Sequence, residues 1–352
     1  MSKSAFILCL AFLAFRPIAP QDVQGQLLAG VVAAKETGRP LDHAMVSVLA
    51  AQRQMFTSES GVFAFANVPP GTYKVRIASL GYTPIDIEAT VPAEGAPDRI
   101  QVQLSLISTL LPTIRVSANG ACTDPGLPDP VIEPDFAAVM GQLRINAQQY
   151  RLLADSFPFS YLLSRTTESF DGTDQLLRRF VDTVAYTSNN GGWRYRVGGL
   201  VARTTSKDYD LHLPTLGDVA SADFLDNHCF HFAGRKSAKG GPVLQIDFRV
   251  ADRITSSDVN GSIFLDAKSY QVRRMVLDLS RVPGEASNIS TLRVETSFAE
   301  IAPHIAVFKE IIGTTHSAVQ KNWRLNLSTI EDQVMFEFKW LRSAPGKGPS
   351  TP

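Results

Sequence analysis

The sequence predicts a mainly β protein in two units: a seven-stranded β-sandwich over residues 26–116 and an α+β domain over residues 134–342 with an antiparallel sheet, able to curl into a half-barrel. Three observations predict this. In the first third, short runs of alternating apolar and polar residues are separated by Gly- and Pro-containing turns every ~8–12 residues, the texture of a sandwich. From residue 134 to about 154 the apolar residues recur at steps of three and four, the period of a helix. Beyond that the alternation returns, and strands that follow a helix rather than alternate with it favour an antiparallel sheet.

Residues 1–25 read as a secretory leader. Lys3 supplies a positive start, and the apolar run over residues 5–15 is too short to span a bilayer as a helix. Cleavage is expected after Gly25. Cys9 lies inside the apolar run without a lipobox before it, so no lipid anchor is expected.

Seven strands are expected near 26–34, 44–50, 53–58, 62–67, 72–79, 84–90 and 98–106, with residues 107–116 as an eighth strand or an extended exit. The centre of the unit is TSESGVFAFANVPPGTYKVRIASLGY, residues 57–82. Gly61 closes a polar turn that calls for a positive φ. Phe63 and Phe65 then share one strand face. Pro69, Pro70 and Gly71 form a turn that lacks two donors and so cannot lie inside a sheet. Tyr73, Val75 and Ile77 point one way while Lys74 and Arg76 point the other. Gly81 and Tyr82 end the stretch.

These residues resemble the carboxypeptidase regulatory-like domain, a small transthyretin-like β-sandwich related to carbohydrate-binding-like folds. The likeness is carried by Gly30, Gly38-Arg39-Pro40-Leu41, Thr57, Gly61-Val62-Phe63, the Val68-to-Tyr73 turn and Leu80-Gly81-Tyr82. It implies a module that is usually non-catalytic and stands beside metallocarboxypeptidases, before outer-membrane receptors, or in envelope proteins. Metallocarboxypeptidase chemistry needs H-x-x-E and a distant His to hold zinc with an open position for water. None of the six histidines has Glu three residues on, so the resemblance extends to the accessory domain alone.

A linker rich in Gly, Pro, Asp and Asn is expected over 117–133. Phe136, Val139, Met140, Leu143, Ala147, Tyr150 and Leu153 then make one helical stripe, with Pro134 suited to its first turn. A further helical piece is expected over 174–184. Strands are expected over 193–197, 244–250, 261–266, 275–279, 292–298, 306–312, 323–327 and 334–341. The segment 234–241 reads as a hairpin loop, and 343–352 as a disordered Pro/Gly/Ser tail.

With 34 basic and 34 acidic residues the chain is neutral, and without residues 1–25 it carries one net negative charge. That balance gives no electrostatic case for nucleic acid. Without the leader two cysteines remain, Cys122 and Cys229, and an even count in an oxidising compartment points to a disulfide. A closed loop of about 107 residues would contribute up to about 4–5 kcal/mol in the chain-entropy model. The competing reading is metal, from His228, Cys229 and His231. On a strand 229 and 231 share a face and 228 points away, and no second ligand motif accompanies them. No metal or cofactor is expected.

No nucleophile elbow, P-loop or dinucleotide fingerprint is present. Phe224-Leu225, His228-Cys229-Phe230 and Gly261-Ser262-Ile263-Phe264-Leu265-Asp266 resemble the second halves of envelope proteins that carry this module, and the last of these pieces, with Tyr270 and Arg273-Arg274 after it, also resembles lipoprotein-carrier folds. Two readings follow. One is a non-catalytic exported protein, periplasmic or outer-membrane associated, that binds or scaffolds an envelope protein or a glycan. The other is a carrier whose curved sheet holds a lipid or other apolar ligand. An unrecognised hydrolase is a third. The first two part on whether Trp193, Tyr195, Phe248, Met275, Trp323, Phe336, Phe338 and Trp340 fill one another or line a cavity.

Overall fold

The structure is a computed structural model that describes residues 26–95, 97–107, 121–188, 192–203, 209–281, 289–318, 326–342 and 344–345. The expected leader, the strand or exit over 107–116 beyond residue 107, most of the strand over 323–327 and most of the tail fall outside these residues. The chain is mainly β.

The first unit has seven strands: β1 (Gln26–Ala34), β2 (Met45–Val48), β3 (Arg53–Phe56), β4 (Val62–Val68), β5 (Gly71–Ala78), β6 (Ile85–Val91) and β7 (Ile100–Leu104). They form a three-stranded sheet, β4-β1-β7, and a four-stranded sheet, β3-β2-β5-β6. All pairings are antiparallel except β1 with β7. The Pro-Pro turn carries the chain from one sheet to the other, which is why two missing donors are tolerated there. Between the sheets lie Leu28, Val32, Phe63, Phe65, Val75, Ile77, Val102 and Leu104, all buried. Gly30 lets this core close: a Cβ there would stand 2.6 Å from both the Ile100 carbonyl oxygen and the Phe63 ring.

The second unit opens with helix α1 (Pro134–Ser156), with proline in the first turn as expected. The expected single stripe is in fact two. Phe136, Val139, Met140, Leu143 and Ala147 pack on the large sheet, while Ile145, Leu152 and Leu153 pack against Met45, Phe56 and Leu80 of the sandwich. A helix buried on two sides must satisfy its polar residues there. Buried Gln142 accepts from the Gly81 N–H and donates to the Tyr82 carbonyl. Buried Asn146 donates to the Tyr270 carbonyl and accepts from the Val272 N–H.

Strands β8 (Phe159–Phe170), β9 (Leu176–Thr187), β10 (Val201–Arg203) and β11 (Tyr209–Leu211) follow, then the short α2 (Ala222–Leu225). Next come β12 (His228–Ala238), β13 (Gly241–Val250), β14 (Val259–Asp266), β15 (Val272–Leu279), β16 (Ile289–Ala302), β17 (Ile305–Ala318) and β18 (Asn326–Trp340). Nine of them form one antiparallel sheet in the order β12-β13-β14-β15-β16-β17-β18-β8-β9, which does not close into a barrel. β10 and β11 pair separately.

Several expectations need correction. The helical piece over 174–184 is strand β9, paired with β8 along its length. Residues 193–197 form no strand; Tyr195 sits in a loop held by the Asp218 carboxylate. The hairpin loop over 234–241 shrinks to Lys239 and Gly240, because β12 runs on to Ala238 opposite Gly241.

A cavity between helix and sheet, and a sealed polar cluster

The antiparallel register stacks a row of side chains across the concave face of the sheet. Ile246, Ile263, Met275, Thr296, Ile311 and Gln333 lie side by side on β13 to β18. The helix covers the β12–β15 end of this face, filling it with Leu244, Ile246, Ile263 and Leu265, all buried. The helix also packs with Ile305 and Val307 of β17 and with Phe159 of β8, and between it, the 213–216 segment and strands β15 to β18, β8 and β9 a cavity of about 280 Å³ remains. Tyr150 of α1 and the 213–216 segment roof it. Met275, Leu277, Val294 and Phe308 form its floor, and Tyr161 and Tyr186 its far wall. The wall is built aromatic on aromatic: Tyr161 stacks on Tyr186 at 5.3 Å and meets Phe308 edge-on at 4.7 Å.

Two phenols of this cavity, Tyr150 and Tyr161, stay neutral. Burial, with the Asp218 carboxylate as a lesser cause, pushes Tyr150 up to about 12. Burial raises Tyr161 strongly as well, helped by Tyr150 and Tyr186. Apolar walls with neutral hydroxyls and the Gln333 amide make a site for an uncharged or weakly polar molecule. Beyond Gln333 the same row ends in a polar pair: Arg165 of β8 holds Asp182 of β9 through two side-chain hydrogen bonds.

The residues expected to decide between core and cavity divide as follows. Tyr195, Phe248 and Met275 are core, with Trp193 packed on them. Phe338 and Trp340 pack with Phe159. Phe336 is 58% exposed. Trp323 lies outside the described residues. Of the seven that are described, Met275 alone lines the cavity. Its other walls were missed because they come from strands and loops spread from Tyr150 to Gln333, with no local spacing to mark them.

Cys122 and Cys229 are joined, with Cα atoms 5.7 Å apart. Gly126 pairs with Cys229 in the adjoining bridge. Cys229 is therefore committed to sulfur. His228 points to the other face, as expected, into a closed cluster. Its Nδ1 lies 2.8 Å from the Phe224 carbonyl and its Nε2 3.1 Å from that of Val259. Asp258 lies 3.5 Å from Nε2 and accepts from the Tyr195 hydroxyl at 2.7 Å. Burial, then this hydrogen bond, drives the Tyr195 phenol upward. His228 and Asp258 are wholly enclosed, so a substrate has no path to them; the cluster ties β12, β14 and the 193–197 loop together.

The sandwich motif residues do structural work. Phe63 and Phe65 are core, and Tyr73 donates to the Pro69 carbonyl at 2.8 Å. Gly61 has φ +72° and its position faces the Val32 carbonyl too closely for a Cβ. Gly81 and Tyr82 present their backbone to Gln142 of the helix. A polar groove of about 830 Å³ beside the β12–β13 hairpin is lined by Lys236 and Lys239 and by two arginines that already have anions: Arg273 pairs with Asp266 and Arg274 with Glu295.

Residues 28–105 match the family model of the carboxypeptidase regulatory-like domain. No curated protein matches the chain. Among solved structures the chain is similar to a DUF1329 family protein from Desulfovibrio piger, at 10% identity over 58% of this chain and 93% of that one, TM-score 0.31. It is also similar to a protein from Bacteroides uniformis described as a "putative carbohydrate binding protein", at 11% identity over 66% of this chain and 92% of the other, TM-score 0.19. Scores this low carry no argument about role.

Proposed function

We propose that this is a non-catalytic binding protein of the cell envelope that holds a small apolar molecule between α1 and the concave face of its nine-stranded sheet. The cavity of about 280 Å³ carries this reading. It lies at the lower edge of the ~300–1000 Å³ range of ligand sites, which suits one acyl chain or a molecule of similar bulk. The carboxypeptidase regulatory-like module is assigned a scaffolding role: through Met45, Phe56 and Leu80 it braces the helix that roofs the site. Export is supported by the leader-like residues 1–25 and by a disulfide, which persists in oxidising compartments.

The test is native mass spectrometry of the full chain, purified gently from its envelope fraction. A lipid-sized mass that leaves on denaturation, and is lost in the cavity-filling variant Val294→Trp, is the expected result. A bare protein mass, together with no binding of a fluorescent fatty-acid probe, would remove the carrier reading and leave a protein or glycan partner as the function.

A further inference from the structure

The nine-stranded sheet has two edges, and they are treated differently. An unpaired strand edge is a template for further pairing unless it is covered, charged or short. At one end β12 is guarded: Gly126 bridges to Cys229, the disulfide pins the 121–126 segment beside it, and Arg235 and Lys236 are exposed on its far half. At the other end β9 is 12 residues long, and no strand among the described residues pairs with its outer side. Four large apolar residues on it stand open: Leu176 at 48%, Leu177 at 54%, Phe180 at 47% and Val181 at 55%.

We propose that β9 is a homodimer interface, at which two copies of this chain join their sheets edge to edge in antiparallel fashion. The identity of the partner follows from charge and register. Two antiparallel copies of one strand are related by a two-fold axis normal to the sheet, so the residue on the axis faces itself and its neighbours face each other in reverse. Placing Arg178 or Arg179 on the axis sets arginine against arginine, and placing Asp182 there sets aspartate against aspartate; like charges directly opposite destabilise a pair. Val181 on the axis leaves Asp182 facing Phe180. With Phe180 on the axis, Arg178 of each copy faces Asp182 of the other and Phe180 meets Phe180, all on the concave side. Arg178 makes no ion pair within its own chain among the described residues, whereas the adjacent Arg179 is taken by Glu168. Asp182 already holds Arg165, and a carboxylate has acceptor capacity for a second cation. This inference is independent of the ligand proposed for the cavity.

Sedimentation equilibrium on the full chain tests it, with circular dichroism to confirm that each variant is folded. The expected result is a dimer at micromolar concentration that Arg178→Asp weakens about tenfold or more, since like charges then face each other twice. Under oxidation, Phe180→Cys should give a covalent dimer. Val181→Cys should not, because its copies lie diagonally at about 7–8 Å, beyond disulfide reach. A monomer up to about 100 µM, far above the affinity of a stable complex, would overturn the proposal. So would a dimer indifferent to Arg178→Asp, or equal cross-linking of the two cysteine variants.

Discussion

The sandwich and the nine-stranded sheet solve the same packing problem with the same device, and then diverge. In each a glycine lies under a phenylalanine ring: Gly30 under Phe63, and Gly261 under Phe248. In each the missing Cβ lets a neighbouring strand and an aromatic ring close on the backbone. The sandwich then buries both inner faces with strands of 4 to 9 residues, and its core is complete. The sheet runs to strands of 14 and 15 residues under one helix of 23 residues, and its concave face is left part filled. A closed two-layer unit has no room for a ligand; an open sheet under one helix does.

The largest effect that would sharpen this contrast is a core truncation in each half. Phe63→Ala should destabilise by about 3–5 kcal/mol, because its ring is surrounded on every side. Phe308→Ala, whose ring borders an existing cavity, should cost about 1–2 kcal/mol by urea denaturation, with weaker ligand retention. Equal costs would mean that the cavity is filled by protein atoms in solution.

The disulfide comes next. Replacing Cys122 and Cys229 together by Ser should lower the stability of the second unit by about 2–5 kcal/mol, since a loop of 107 residues is released. The sandwich, which has no cross-link among the described residues, should keep the amide-exchange protection of β1 and β4. Loss of protection in both would show that the two units unfold as one.

The paired glycines give a finer test. Gly30→Ala and Gly261→Ala should each cost about 1–3 kcal/mol through overpacking. Gly261→Ala should cost more, because its Cβ would meet the Val276 carbonyl oxygen at 2.0 Å and a backbone atom cannot step aside as a ring does. The reverse order would place the tighter packing in the sandwich.

The smallest effect is electrostatic. The Arg165 hydrogen bonds hold the Asp182 carboxyl below its ordinary value. A depressed folded value means that the contribution is present above the unfolded value near pH ~3.9 and disappears as the pH falls through the lower, folded one. Acid titration followed by NMR should therefore show the β8–β9 amides losing protection only below about pH 4. Loss near neutral pH would contradict the pairing.

The sandwich was legible in nearly every element because its signals are local. Gly61 needs its positive φ, Pro69 and Pro70 need a place between sheets, and the alternation around Val75 has one wet face. Strand β9 was not legible, and the reason is physical. Leu176, Leu177, Phe180, Val181 and Val184 recur at a helical spacing, yet an edge strand exposed on both faces is free to carry apolar residues on each, which imitates that period. Strand β8, with its run of Ser, Arg and Thr, shows no clean alternation because its far half lies over neither core nor open solvent.

The chain by itself determined the local geometry: where it turns, which stretch is helical, which two cysteines were available to pair. Those follow from φ restrictions, period and composition, which act between near neighbours. The tertiary structure alone decided that α1 is buried on two sides, that His228 is sealed against Asp258 rather than offered to a metal, and that Tyr150, Tyr161 and Phe308 enclose a cavity. Each depends on how far apart two layers come to rest, a distance set by the sum of side chains between them and written in no single segment.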